Sequence, residues 1–158
     1  MTKIKNNSLS IIDLYCGVGG FSLGAARAGF KVIGAIDNDP IMIETHKKNF
    51  PATNHLQLDL SSVSGKELLK QLGLEGSSVI GVVGGPPCQG FSTIGKNHRN
   101  DHRNDLFVKF FQLVKEIKPV FFVCENVPGL LRDKFDKIRE VAKDCLKREY
   151  TLFPPGVR

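Results

Sequence analysis

Hydrophobic and polar positions along the 158 residues switch between two periods. Leu9-Ser10-Ile11-Ile12-Asp13-Leu14-Tyr15, Phe30-Lys31-Val32-Ile33-Gly34-Ala35-Ile36-Asp37 and Ser78-Val79-Ile80-Gly81-Val82-Val83 are short, apolar and rich in β-branched residues. They read as buried strands, and Val120-Phe121-Phe122-Val123-Cys124 reads as a fully buried one. His55-Leu56-Gln57-Leu58-Asp59-Leu60 alternates, as a half-buried edge strand does. Helical stretches lie between them. One runs from Phe21 to about Ala28 and is closed by Gly29. The next is capped by Asn38 or Asp39, with Pro40 in its first turn, and ends near Asn49 before Pro51. Ser64 and Glu67 form a capping box ahead of Leu68, Leu69 and Leu72. Asn104 or Asp105 can cap a helix carrying Leu106, Phe107, Phe110, Phe111, Val114 and Ile117 at helical spacing, which Pro119 stops. Phe135, Ile138, Ala142, Cys145 and Leu146 mark one face of a last helix. Five strands alternating with helices predict an α/β fold, a doubly wound, mostly parallel Rossmann-like sheet in a single domain.

In such a sheet, ligands bind beyond the carboxyl ends of the strands. The residues at those ends are therefore the candidate chemistry. After the first strand comes Cys16-Gly17-Val18-Gly19-Gly20, a turn that lets backbone N–H groups approach a ligand. It falls short of the Gly-x-Gly-x-x-Gly fingerprint because Ser22 holds the third glycine position. Asp37 ends the second strand 24 positions beyond Asp13, about where a carboxylate grips ribose hydroxyls in nucleotide folds. Asp59 ends the third. The fourth runs into Gly84-Gly85-Pro86-Pro87-Cys88-Gln89-Gly90-Phe91-Ser92, where two prolines stiffen the entry to a cysteine and a polar, Gly-rich stretch follows it. A nucleophile needs that fixed presentation; a core cysteine does not. The fifth strand ends at Glu125-Asn126-Val127. Adjacent fourth and fifth strands would bring Glu125 beside Cys88, and a carboxyl at a buried strand end resists ionisation.

The formal net charge of +6 favours a polyanionic partner. Lys96-Asn97-His98-Arg99-Asn100-Asp101-His102-Arg103 concentrates positive charge just after the Cys88 loop, as a phosphate-contacting loop would. No apolar run is long enough to span a bilayer, and the first residues lack the core of a signal peptide, which places the protein in the cytoplasm. Cys16, Cys88, Cys124 and Cys145 form no Cys-x-x-Cys pair and have no histidine at zinc-site spacing, so they are expected as free thiols and no metal is expected.

The motifs in order make the resemblance specific. Asp13-Leu14-Tyr15-Cys16-Gly17-Val18-Gly19-Gly20-Phe21-Ser22, Gly85-Pro86-Pro87-Cys88-Gln89-Gly90-Phe91-Ser92, Asp101-His102-Arg103-Asn104-Asp105-Leu106 and Glu125-Asn126-Val127 resemble the cofactor, nucleophile, mobile-loop and acid motifs of the amino-terminal half of DNA cytosine-5 methyltransferases. The resemblance covers nearly the whole chain. It implies a catalytic domain over 1–158 that binds S-adenosyl-L-methionine, lacks the family's target-recognition domain, and acts on DNA in a restriction-modification system. Cys88 would be the nucleophile and Glu125 the acid near N3. Asp37 would hold the ribose and Asp59 the adenine end. Tyr15, Gly17 and Gly19 would line the methionine side, with Asn38, Leu60, Gly85, Pro87 and Leu106 completing the pocket. Gln89, Ser92, Lys96, Arg99 and Arg103 would meet nucleic acid. Asp37 departs from the glutamate frequent at that position in the family. The family's Gln-x-Arg-x-Arg motif and final helix are not in the sequence, which implies a fragment or one half of a split enzyme whose second polypeptide supplies the rest.

The residue types suit the chemistry. Cytosine C5 is too weak a nucleophile to take a methyl group directly, and a thiolate adding at C6 turns the ring into an enamine. An acid near N3 offsets the charge that develops, and the base must leave the duplex to reach the thiol. Two alternatives stay open: a tRNA cytosine-5 methyltransferase of the same family, and an inactive, truncated binding module.

Overall fold

The computed structural model describes residues 9–87, 103–146 and 149–152. Five strands form one sheet in the order β3-β2-β1-β4-β5, and every pairing is parallel. They are β1 (Ser10–Leu14), β2 (Lys31–Asp37), β3 (Asn54–Gln57), β4 (Gly81–Gly84) and β5 (Phe121–Cys124). A helix follows each: α1 (Gly20–Arg27), α2 (Pro40–Asn49), α3 (Gly65–Gln71), α4 (Arg103–Ile117) and α5 (Asp136–Leu146). The chain steps from β1 outward to β3, then returns to β4 on the other side of β1. That reversal opens a crevice at the carboxyl ends of β1 and β4.

The alternation along β1 sorts the two faces. Ile12 and Leu14 join the larger core, which takes Leu68 and Leu72 at α3, Phe110, Leu113 and Val114 from α4, and Ala142 and Leu146 from α5. Ile11 joins a smaller cluster with Val32 and Val83, against Phe21 and Ala25 of α1. Asp39 caps α2 by accepting from the Ile41 and Met42 amides, with Pro40 in the first turn. Ser64 caps α3 by accepting from the Glu67 amide, while the Glu67 carboxylate takes the Gln71 amide instead of closing the box.

Four expectations change. The third strand stops at Gln57, because Asp59 turns the chain by accepting from the Ser61 amide and starts a short 3₁₀ turn, Leu60–Ser62. The fourth is confined to Gly81–Gly84, the stretch paired on both sides with β1 and β5. Asn104 and Asp105 lie inside α4 rather than capping it. Finally, β5 is not fully buried. It is an edge strand among the described residues, and Val120 and Val123 are 79% and 46% exposed. Beside it, an apolar cleft of about 540 Å³ lies open between α1 and the β4–β5 side of the sheet, lined by Ile11, Phe21, Ala25, Val83, Phe121 and Val123.

Candidate active site

The turn after β1 is held in a shape that only its glycines and one strained tyrosine permit. Tyr15, Gly17 and Gly19 have φ of 59°, 52° and 104°. The Gly17 amide donates to Asp37 Oδ2 at 2.9 Å, and the other Asp37 oxygen accepts from the Asp39 amide at 3.0 Å. Asn49, at the end of α2, donates to the Val18 carbonyl at 2.9 Å. The second strand's terminal acid therefore pins the glycine turn from one side and the next helix pins it from the other. A carboxylate oxygen has a second lone pair, so Asp37 keeps acceptor capacity for a ligand hydroxyl.

Among the described residues, a methyl group on Gly17 or Gly20 would meet nothing within 4 Å, so they leave space open above the turn. On Gly19 it would come within 2.5 Å of Phe50 and 3.2 Å of His46, which form the floor beneath. Tyr15 closes one side. Its hydroxyl donates to the Leu106 carbonyl at 3.2 Å, bringing together two predicted site residues 91 positions apart. Burial, with the charge of Asp59 nearby, raises the Tyr15 pKa and keeps the phenol protonated as a donor. Asp59 is exposed after β3 and uses one oxygen as a cap. Asn38 is exposed; Leu60 is 2% exposed, so its side chain belongs to the core.

On the other side of the crevice, β4 and β5 bring their loops together. The Glu125 amide donates to the Gly84 carbonyl at 3.0 Å. A Cβ on Gly85 would lie 3.3 Å from Glu125 Oε2, so the absent side chain leaves the space the carboxylate uses. The Asn126 amide donates to the Pro86 carbonyl at 3.1 Å, while its oxygen accepts from the Val127 amide at 2.9 Å. Asn126 thus ties the acid loop to the Pro86-Pro87 entry. The residue types show the motif but not this tie, which needs the register of β4 on β5. Glu125 is exposed among the described residues rather than buried as the strand-end reading expects, because β5 is an edge strand there.

Cys88, Gln89, Ser92, Lys96 and Arg99 lie outside the described residues, as does the side chain of Arg103, which opens α4. Two cysteines that are described are kept as thiols. Burial, reinforced by Glu125, pushes Cys124 up to about 12. Burial, with Asp13 and Asp37 adding to it, raises Cys16 as well. Among the described residues no group of side chains could hold a metal ion, and no helix is long and apolar enough to cross a membrane.

Sequence reading missed a buried polar chain under the turn. Asp13 and His46 are both 0% exposed, and Ser22 joins them at 2.7 and 3.0 Å. The only signal was a polar residue, Asp13 or Ser22, inside an otherwise apolar stretch; nothing around His46 marks it.

The family described as C-5 cytosine-specific DNA methylase matches residues 9–152. The type II methyltransferase M.XorII of Xanthomonas oryzae is 45% identical over 119 residues, covering 75% of this chain and 28% of that protein. The type II methyltransferase M1.HphI of Haemophilus parahaemolyticus is 44% identical over 144 residues, covering 89% and 38%. Among solved structures, an E. coli prophage-encoded protein described as a DNA modification methyltransferase superposes with a TM-score of 0.81 at 44% identity, over 91% of this chain and 39% of that one. A Dnmt2 variant from Spodoptera frugiperda superposes at 0.64 and 27% identity, over 89% and 41%. The chain therefore spans less than two fifths of the length of the two curated relatives.

Proposed function

Because the chain belongs to the C-5 cytosine-specific DNA methylase family, we propose that it carries the cofactor- and base-reacting half of a DNA cytosine-5 methyltransferase of restriction-modification type. The observation that carries the proposal is the pairing of the two loops: Glu125 Oε2 stands against Gly85, and Asn126 holds Pro86, two residues before Cys88.

The turn fits S-adenosyl-L-methionine, the donor that membership of this family carries. Space is open over Gly17 and Gly20, and Asp37 and Asp59 offer carboxylate oxygens at the ends of neighbouring strands. Asp37 would take the ribose hydroxyls and Asp59 the adenine end, with Asn38 and the Leu60 backbone beside them. Tyr15, Gly17, Gly19, Gly85, Pro87 and Leu106 would enclose the methionine side. When bound, the group supplies an electrophilic methyl. The chain supplies the activation: the Cys88 thiolate adds to C6 of a cytosine turned out of the duplex, and electron density rises at C5. Glu125 would hold N3 through a hydrogen bond as charge develops there. After methylation, loss of the C5 proton expels the Cys88 thiolate and restores the ring. Gln89, Ser92, Lys96, Arg99 and Arg103 would contact the nucleic acid, the last three offering positive charge to its phosphates.

The further length that the curated relatives have is expected to pack on the apolar side of this sheet. The open apolar cleft beside β5 would be covered by polypeptide outside these 158 residues, in the same chain or a second one. Replacing Val123 by Asp would then lower methylation by the assembled protein while leaving this half folded.

The test is transfer of labelled methyl groups to duplex DNA and, separately, to tRNA, with that remaining polypeptide present. Transfer to DNA that disappears in Cys88→Ser supports the proposal, as does a covalent adduct with 5-fluorocytosine DNA. Undiminished transfer by Cys88→Ser would overturn the mechanism, and transfer to tRNA alone would replace the substrate.

A further inference from the structure

Beneath the glycine turn, four polar side chains form one unbroken line. Asp13 Oδ2 accepts from the Ser22 hydroxyl at 2.7 Å; Ser22 Oγ lies 3.0 Å from His46 Nε2; His46 Nδ1 lies 2.8 Å from His55 Nε2. The line runs from β1 through α1 and α2 to β3, starting in the core and ending at a half-buried ring in an open groove with Lys47, Asn54 and Gln71. Asp13, Ser22 and His46 are each 0% exposed. They are cut off from bulk solvent, so what packs around each must satisfy it. Among the described residues, Asp13 Oδ1 has no hydrogen-bond partner. A full negative charge there is costly, and a proton on the carboxyl relieves it.

Two hydrogen arrangements satisfy the three short contacts equally. In one, His55 Nε2–H donates to His46, His46 Nε2–H donates to Ser22, and Ser22 donates to an ionised Asp13. In the other every donor reverses: protonated Asp13 donates to Ser22, Ser22 donates to His46 Nε2, and His46 Nδ1–H donates to His55. The arrangements differ by one proton, added at the outer His55 nitrogen and delivered at Asp13 by a hop at each link. Both leave His46 a neutral ring. The Thr53 backbone is an acceptor beside His55 for the added proton.

The line also touches the turn that holds the cofactor under the reading above. The His46 and Phe50 rings lie 4.7 Å apart beneath Gly19, where a Cβ would collide with Phe50 and crowd His46. Ser22 sits in the first turn of α1, whose amides follow Gly19. We propose that Asp13, Ser22, His46 and His55 form a reversible proton wire, and that His46 and Ser22 act through it as positioning residues for the Gly17–Gly20 turn. This role rests on the cofactor reading of that turn; the wire itself does not.

Among the described residues, the charged and titratable groups that face it are these. Asp37 on β2 and Cys16 on the turn face Asp13. Asp37 and His55 face His46. Lys47 and Glu44 of α2 face His55. The β4 residue beside Asp13 is Val83, which does not titrate. Burial drives the carboxyl of Asp13 up to about 7, within reach of ordinary solution conditions.

With Asp13 ionised, its bond from the Ser22 hydroxyl is charge-assisted and the carboxylate lies under the amino end of α1, so this first turn is held more tightly even though the buried charge costs the fold as a whole. The cofactor turn is therefore firmer above neutrality than below. The direct test is nitrogen-15 NMR of the histidine rings of the protein from about pH 5.5 to about pH 8.5. The expected result is that His46 passes from the Nδ1–H to the Nε2–H tautomer as pH rises, without passing through the imidazolium, and that Ser22→Ala abolishes the change. One unchanging tautomer in the wild type, or the same change in Ser22→Ala, overturns the wire. The positioning role is read by calorimetry with S-adenosylhomocysteine as the probe. Binding should be roughly threefold or more tighter at about pH 8 than at about pH 6, a dependence lost in Ser22→Ala. Equal affinity at both values overturns the positioning role. Absence of binding throughout counts against the cofactor reading instead, while the NMR result still decides the wire.

Discussion

Gly17 and Gly19 stand two residues apart in one turn, yet a methyl group would do different things at each. At Gly19 the backbone is left-handed and the new Cβ would sit 2.5 Å from Phe50, so strain and overpacking act together. Gly19→Ala should destabilise the fold by about 1–3 kcal/mol, read as a lowered denaturant midpoint. At Gly17 the methyl meets nothing, and only the left-handed backbone resists it, at roughly 1–2 kcal/mol. It would, however, enter the space assigned to the ligand. Gly17→Ala should therefore lose cofactor affinity out of proportion to its modest loss of stability. Unaltered affinity in that variant would put the ligand elsewhere. Tyr15→Phe removes a single part-buried donor to the Leu106 carbonyl, and a cost of about 1 kcal/mol is expected from thermal unfolding.

Elements show where sequence reading succeeds and where it stops. Strand and helix order follows from periodicity because each apolar stretch was long enough to show its own period: α4 alone presents Phe107, Phe110, Phe111 and Val114 to the core. Boundaries moved where a single polar residue competes with the pattern. Asp59 ends β3 by accepting from a backbone amide, an effect that alternation of Leu56, Leu58 and Leu60 conceals. The misjudged burial of β5 has another cause: an apolar run tells that a strand prefers cover, not that cover is present. The site divides the same way. Asp37 and Glu125 were legible as acids at strand ends, but what they do locally depends on partners far along the chain. Gly17 reaches Asp37 across 20 positions, and Asn126 reaches Pro86 across 40. The Asn126 tie makes a prediction. Asn126→Ala frees the Pro86 carbonyl and the Val127 amide at once, so the Cys88 entry loosens against Glu125. Methyl transfer by the assembled protein should fall about tenfold or more, with cofactor affinity little changed, since alignment of reacting groups is what is lost. If affinity fell while the transfer rate held, the tie would serve the cofactor pocket instead.

At the scale of the whole molecule, two buried groups set opposing pH dependences. The Asp13 carboxyl is raised from 3.8 to about 7, chiefly by burial. Between those values the folded state holds a proton that the unfolded state has lost, so this group lowers stability as pH rises through that window. The His46 ring is lowered from 6.5 to about 4, by burial and then by His55. Between those values the unfolded state takes a proton that the folded ring refuses, so this group raises stability as pH rises. His55, also lowered, acts in the same direction as His46. From about pH 4 to about pH 6.5 the terms oppose one another, and the wild type should show a shallow profile. A tenfold change in proton affinity is worth roughly 1.4 kcal/mol, so removing either side should expose a slope of more than ~1 kcal/mol across the window. Asp13→Asn keeps the side chain's shape and leaves the histidines: its stability should climb with pH. His46→Gln keeps a donor for Ser22 and leaves the acid: its stability should decline with pH up to neutrality. Chemical denaturation of the three proteins at several pH values would show the profiles diverging in opposite senses. Parallel profiles would mean that Asp13 and His46 do not carry the burial-shifted protons assigned to them.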